Sequence, residues 1–466
     1  MAQARASEIQ PVRADLVDDY DPSRFVESLQ QVIRCATVVN DDGTYDETTF
    51  DEMAKVLVQR FPLVHQHLER EIFNRHGVLL TWRGTKDDLD PIVLMAHQDV
   101  VPVEAGTESD WTVPPFSGAV ADGRIYGRGA LDCKGLLIAI LEAVEYMLER
   151  DVQIERTVLV VLGHDEEVGG HKGAKVIARE LEERGVRPWF VVDEGGSVVV
   201  GIITAVDSPV ALVGIAEKGY MDVTLTAEGE GGHSSIPPRD TPLVQIADAV
   251  AKLDRSPMKP RIGTMAPMLR ALSGSMSGVA GRLAGRPEMA APILTRVFAR
   301  DNLMNALQRT TMVPTVMSGG EKINVIPQLA SAHVNVRIIP GDTIASVTSH
   351  IRSVVGPDVH IEVDQDVSWE PSALSSTESD GWRVVTGVIG SIFPNAIISP
   401  WVVVGAADAR YFEEFSAGVY RFAPFEVDSE AIAGVHATNE FVNVKDAQRA
   451  VSFFVRLIFA AATTVD

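Results

Sequence analysis

Five short polar stretches hold the side chains best suited to chemistry: "HQD" at 97–99, "DCKG" at 132–135, "HDEE" at 164–167, "DEGG" at 193–196 and "GVHATNE" at 434–440. Imidazole nitrogen and carboxylate oxygen are the ligands of hard and borderline divalent cations, and no cluster of cysteines points instead to a structural zinc site. Asp99, two residues after His97, is placed to accept the second ring N–H of a metal-bound imidazole. Asp132 stands in "GRGALDCKG" just before a helical pattern, where taken alone it reads equally well as a helix N-cap. The glycines around it do not have the spacing of a dinucleotide fingerprint. Glu166 and Glu167 are adjacent like charges that raise each other's pKa unless cations lie nearby. Together these residues suffice for two cations sharing one carboxylate, with one acid left over to act as a base.

Three apolar runs must carry these stretches: "PIVLMA" (91–96), "TVLVVL" (157–162) and "WFVV" (189–192). They read as buried, largely parallel strands because they are continuously apolar rather than alternating. Helical patterns at 135–150 and 169–185 supply the crossovers, giving the order β, α, β, α, β. Each strand runs directly into one of the polar stretches, and open α/β sheets bind ligands beyond the carboxyl ends of their strands. From about residue 209 the texture becomes alternating, in "ALVGIAEKGYMDVTLTAEG" and "ASAHVNVRIIPG", as in half-exposed antiparallel strands. After about residue 371 the α/β texture returns. The expected fold is therefore α/β: a mostly parallel catalytic domain in two parts, 1–208 and 372–466, with an α+β domain inserted at 209–371. Residues 256–318 read as an irregular piece rich in Met, Ala and Pro, either packing filler or an adaptable apolar wall.

With 466 residues the chain is long enough for two hydrophobic cores. Its net charge of −23 argues against nucleic acid, whose phosphates it would repel. No apolar stretch approaches a membrane span, and the N-terminus "MAQARASEIQPVRADLVDDYDPS" has acids where a signal peptide is apolar. The two cysteines, Cys35 and Cys133, fall short of a disulfide framework. A cytoplasmic protein acting on a small molecule is the expectation.

The motifs "MAHQDVVPV", "WTVPPFSG", "GRIYGRGALDCKG", "GHDEEVGG", "VVDEGG", "GGHSS", "KINVIP", "NVRIIPGD", "GAADARYF", "VYRFAPF" and "GVHATNE" follow one another from about residue 90 to the C-terminus. In this the chain resembles the dinuclear zinc amidohydrolases and peptidases, which include aminoacylase, carboxypeptidase S, glutamate carboxypeptidase, acetylornithine deacetylase and succinyl-diaminopimelate desuccinylase. The late motifs and the Met-rich insertion are most like the carboxypeptidase S and N-acyl-amino-acid hydrolase branch. The resemblance implies two Zn²⁺, replaceable by Co²⁺ or Mn²⁺, with His97 and Glu194 on one ion, Glu167 and His436 on the other, and Asp132 on both. Either acid of "DEGG" is chemically able to ligate; the resemblance favours Glu194, with Asp193 as the alternative.

The same resemblance makes Asp99 the residue that orients His97, Glu166 the general base, and His233 of "GGHSS" an oxyanion stabiliser. Arg337 and Asn324 would hold the substrate's terminal carboxylate, a planar target for a guanidinium fork. It further implies a cis peptide after Asp132, and an inserted domain that serves as lid and homodimer contact. "GAADAR" departs from the Gly-Gly-Thr/Ser-Asp pattern of the family, because Ala406 and Ala407 replace a glycine and a hydroxyl residue. The implied activity is hydrolysis, or reversible condensation, of N-acyl amino acids or C-terminal peptide bonds, with the Met-rich insertion lining a pocket for a long acyl chain. Two rival readings remain: a cocatalytic aminopeptidase or dipeptidase, which would share the metal half, and a non-catalytic binding scaffold of the same fold, which should lack ligands or base.

Overall fold

The computed structural model describes residues 17–463, so the N-terminal stretch weighed against a signal peptide lies mostly outside the described residues. The chain divides into two compact units, Met1–Ile215 with Ser375–Pro400 and Ala407–Asp466, and Ala216–Leu374 with Trp401–Ala406.

The first unit is built on a large sheet whose central strands are Val158–Gly163, Ile92–His97, Phe190–Asp193 and Val419–Arg421, neighbours in that order. These four run parallel. Antiparallel strands flank them, Gly77–Trp82 on one side and Val210–Glu217 on the other. Ile92–His97 and Val158–Gly163 are buried along their whole length, which is why their sequences are continuously apolar. Helix Gly135–Leu148 is buried almost all round and packs against the C-terminal helix Ala447–Ala462. Its two buried acids have specific work: Glu142 accepts the Ser28 hydroxyl at 2.7 Å, and Glu145 accepts the N–H groups of Leu63 and Val64 at 3.0 and 2.8 Å, satisfying the open N-terminus of helix Pro62–His67.

The helix expected over 169–185 is confined to Ala174–Glu183. Gly169 and Gly170 hold φ of 101° and 66°, left-handed backbone that a helix does not tolerate, so "GGHKG" is a turn. The strand Val210–Glu217, expected to begin the inserted domain, is instead fully buried and pairs within the large sheet. The alternating pattern begins only at Gly219.

The second unit has a four-stranded antiparallel sheet, in the order Thr311–Gly319, Leu329–Ile338, Gly219–Glu228, His360–Val363. One face carries Met221, Val223, Leu225, Val334 and Val336, and helices Pro242–Arg255 and Ile344–Val355 close over them with Ile246, Leu253 and Ile351. Burying such aliphatic side chains contributes about 1.5–3 kcal/mol each. The Met-rich piece is not irregular: it forms the helices Ile262–Ser273, Gly278–Ala284, Pro287–Phe298 and Asn302–Gln308. Met265, Met268, Leu269 and Leu272 recur at helical spacing and are buried, a period masked in the sequence by its prolines and glycines.

Candidate metal centre

The three parallel strands end side by side, and their tips bring the predicted acids and histidines together. His97 closes its strand, and Asp193 closes the neighbouring one with Glu194 just beyond. Glu166 and Glu167 lie in a short turn, Glu166–Val168, after Val158–Gly163. Asp132 comes from the loop that leads into helix Gly135–Leu148, and the Asp132–Cys133 peptide is cis, as expected.

Asp132 is the hinge of the arrangement. Its Oδ1 lies 3.0 Å from His97 Nε2, while its Oδ2 lies 3.2 Å from His436 Nε2. Glu194 Oε1 stands 3.5 Å from the same His97 nitrogen, and Glu167 Oε2 3.1 Å from the same His436 nitrogen. Two donor groups result, His97, Asp132, Cys133 and Glu194 on one side and Asp132, Glu167 and His436 on the other. Burial pushes the Cys133 thiol well up, so it stays protonated, and its sulfur accepts the His97 backbone N–H at 3.1 Å.

The surrounding groups fix these donors. His97 Nδ1 lies 3.0 Å from the carbonyl oxygen of Asp99 and 3.5 Å from its carboxylate, an arrangement that leaves Nε2 facing Asp132. The Asp99 carboxylate also accepts the N–H of Glu167 at 3.0 Å, linking two of the tips. Glu194, rather than Asp193, faces His97; Asp193 Oδ2 is occupied by the N–H of Ala409 at 2.8 Å.

The electrostatics demand positive charge. Burial and the charge of Asp132 raise Glu194 to about 8. Burial, then Glu194, push Glu166 well above the ordinary carboxylate range, and burial with Asp132 raises Glu167. Burial works to raise Asp132 as well, but hydrogen bonds from His436 and His97 hold it well below its usual value. Asp132 and Glu167 in turn lift the half-exposed His436 to about 10. Glu167 Oε1 is buried with no hydrogen-bond partner. Clustered carboxylates, an orphaned buried oxygen and an Asp whose two oxygens serve two histidines fit small divalent cations with N and O ligands. The Glu166 side chain takes part in no hydrogen bond with the described residues, so its carboxylate is left for another task.

Two supports were not anticipated from the sequence. Glu440, fully buried, accepts from Arg128 Nη1 at 2.8 Å and from the N–H groups of Gly129, Leu131 and Asp132 at 2.9, 2.9 and 3.0 Å, so it holds the loop that presents Asp132. Its signal was its place at the end of "GVHATNE", four residues after His436. Asp408 of "GAADAR" is buried with neither oxygen hydrogen-bonded, and a Cβ on Gly163 or Gly170 would overlap its carboxylate. Those two glycines begin and end "GHDEEVGG"; they keep room for Asp408 at both ends of the acidic turn.

His233, Asn324 and Arg337 belong to the second unit. His233 is exposed, with Nδ1 2.8 Å from Ser235 Oγ, and pairs with Val325 in a short ribbon that also sets Ser234 N–H on the Asn324 carbonyl at 3.2 Å. Arg337 lies half-buried with its guanidinium 4.7 Å from the Tyr220 ring, and no described carboxylate forms an ion pair with it. The structure thus gathers the metal-type residues in one unit and places these three in the other.

Comparison with known proteins shows the family. Residues 93–460 match the model of peptidase family M20/M25/M40. The mouse N-fatty-acyl-amino acid synthase/hydrolase PM20D1 is 35% identical over 444 residues, covering 94% of this chain and 88% of that one. Carboxypeptidase S of Saccharomyces cerevisiae is 30% identical over 485 residues, covering 93% and 83%. The M20 family metallo-carboxypeptidase Sso-CP2 of Sulfolobus solfataricus shares the fold, with a TM-score of 0.69 at 17% identity, covering 93% of this chain and 98% of that one. The chain belongs to peptidase family M20/M25/M40 and is a metallo-amidohydrolase of that family.

Proposed function

We propose that this protein cleaves the amide bond of N-acyl amino acids or of C-terminal peptide bonds, with Glu166 as general base and acid. The observation that carries the reading is Asp132, whose two oxygens serve two histidines at 3.0 and 3.2 Å while Glu166 beside them is left unengaged. In this reading His97 and Glu194 hold one cation, Glu167 and His436 hold the other, and Asp132 holds both. Zn²⁺, or Co²⁺ or Mn²⁺ in its place, would acidify a water and polarise the amide carbonyl.

Glu166 takes the proton of the attacking water. Its carboxylate, engaged by no described residue, is free to hold that proton and then deliver it to the leaving nitrogen. Asp99 keeps His97 in the tautomer that leaves Nε2 free to ligate. From the inserted domain, proposed to act as a lid, Arg337 would grip the substrate carboxylate with Asn324, and His233 would stabilise the oxyanion. The half-buried guanidinium of Arg337, which forms no ion pair with any described carboxylate, supports that role. The relatives named for N-fatty-acyl-amino acids and for carboxypeptidase S support the substrate class, including a long acyl chain and reversible condensation. A cytoplasmic setting and a homodimer through the inserted domain form part of the same proposal. The unpaired thiols of Cys35 and Cys133 support the first, and the apolar side chains Val313, Val316 and Met317 exposed on strand Thr311–Gly319 support the second.

The test is asymmetric. Glu166→Gln should keep its full metal content and lose about 10²–10⁴-fold in turnover of N-acyl amino acids. Glu167→Gln should lose metal on dialysis. Substantial turnover by Glu166→Gln, or a preference for peptides with free N-termini over N-acylated ones, defeats the proposal.

A further inference from the structure

Residues 256–310 carry eight Lys and Arg but only two acids, a net of +6 inside a chain whose net is −23. Both acids are already engaged. Glu288 pairs with Arg270, and Asp301 caps helix Asn302–Gln308 through the N–H of Met304 at 2.8 Å. Arg282, Arg286, Arg296 and Arg300 are exposed and form no ion pair among the described residues; Arg296 reaches only the carbonyl of Pro292 in its own helix.

These arginines alternate with exposed aliphatic side chains. Helix Pro287–Phe298 buries Pro287, Ala290 and Leu294 and leaves Met289 78%, Ile293 53% and Val297 53% exposed. At 100° per residue, Met289, Ile293, Arg296 and Val297 fall within about one third of the helix circumference, and Arg286 and Arg300 flank the helix at its two ends. Val279 at 67% and Leu303 at 47% continue the pattern in the helices before and after. Large aliphatics exposed in register along one helix face are unusual on a soluble surface, and they mark a place where something binds.

We propose that this face docks on an anionic lipid bilayer. Aliphatic side chains flanked by guanidiniums are what an interfacial helix presents, with Met289, Ile293 and Val297 entering the acyl boundary and the arginines meeting headgroup phosphates. A second copy pairing this face with itself would match the aliphatics but set arginine against arginine, and one pairing its acidic surface with it would match the charges only. The bilayer satisfies both. The proposal stands apart from the substrate reading, because docking needs neither turnover nor metal.

The experiment is co-sedimentation of the full-length, metal-loaded protein with vesicles of phosphatidylcholine alone or with 30 mole per cent phosphatidylserine, about the anionic content that makes a surface strongly negative. Binding is expected only to the anionic vesicles and should weaken as salt rises. Arg286→Gln with Arg296→Gln should weaken it about 25-fold, from roughly fivefold per arginine at such a surface. Met289→Ser with Ile293→Ser should weaken it by about tenfold or more through lost apolar burial. Thermal midpoint and metal content serve as controls, and these exposed positions should leave both unchanged. No binding to anionic vesicles, or binding that neither pair alters, overturns the proposal. So does a dimer in lipid-free solution that the same pairs dissociate, since the face would then belong to a second copy.

Discussion

Replacing Glu440 tests whether the centre is held from beneath. The buried carboxylate accepts four hydrogen bonds, two at Oε2 from Arg128 and Gly129 and two at Oε1 from Leu131 and Asp132. Glutamine keeps the shape, but its amide nitrogen cannot accept. With its oxygen on the Arg128 side, the N–H groups of Leu131 and Asp132 are stranded, and each buried unsatisfied donor costs about 1–3 kcal/mol. Glu440→Gln should therefore lose about 2–6 kcal/mol. Glu440→Ala also abandons a guanidinium that is only 3% exposed, and breaking a buried ion pair costs about 3–5 kcal/mol more. That total approaches the whole stability of an ordinary domain, about 5–15 kcal/mol.

Urea unfolding of the metal-free protein measures the first effect. Competition against a chromophoric chelator measures the second, an expected drop of about 10–100-fold in cation affinity as Asp132 loses its support. The stability readout separates support from simple charge. Removing a negative charge from a crowded acidic centre would weaken cation binding yet relieve repulsion in the metal-free protein. A Glu440→Gln protein as stable as the wild type before metal is added would refute the reasoning.

Two further outcomes follow from the geometry. In the metal-free protein His436, raised to about 10, and Glu194, raised to about 8, both carry protons at neutral pH, yet each must be unprotonated to ligate. Cation binding should thus release protons, and apparent affinity should climb from pH 7 to pH 10. A flat profile in calorimetry across buffers of different ionisation enthalpy would contradict this. Gly163 has an ordinary φ, and the carboxylate of Asp408 is what a Cβ there would overlap. Gly163→Ala should cost about 1–3 kcal/mol and displace the Glu166–Glu167 turn. Adding Asp408→Ala should restore part of both stability and turnover, whereas strictly additive losses in the double-mutant cycle would show that the two do not touch.

The chemistry of this protein was legible in its sequence because strand tips are set by local pattern. A continuously apolar run that ends in His97, Glu166–Glu167 or Asp193–Glu194 announces a buried parallel strand and the polar group at its carboxyl end. Parallel topology then leaves little choice about where those groups meet. The helices of the Met-rich segment were missed, since Pro267 and Pro292 sit inside them and local breaker signals outweighed the 3–4 spacing of Met265, Met268, Leu269 and Leu272. The limits of Val210–Glu217 were misjudged because burial on both faces is a property of the finished sheet, not of the eight residues themselves.

What tertiary structure alone decided is which atoms face which. Sequence named Asp132 and two histidines, but only the fold turns one carboxylate oxygen toward each. Likewise, nothing in the spacing of "GVHATNE" or "GAADAR" says that Glu440 gathers three backbone donors of a loop some 310 residues earlier, or that Asp408 rests against the glycines that bracket the acidic turn. The physical reason is range. Patterning of apolar residues acts within a few positions of chain, whereas the orientation of a buried carboxylate depends on donors that the whole fold must first bring within 3 Å.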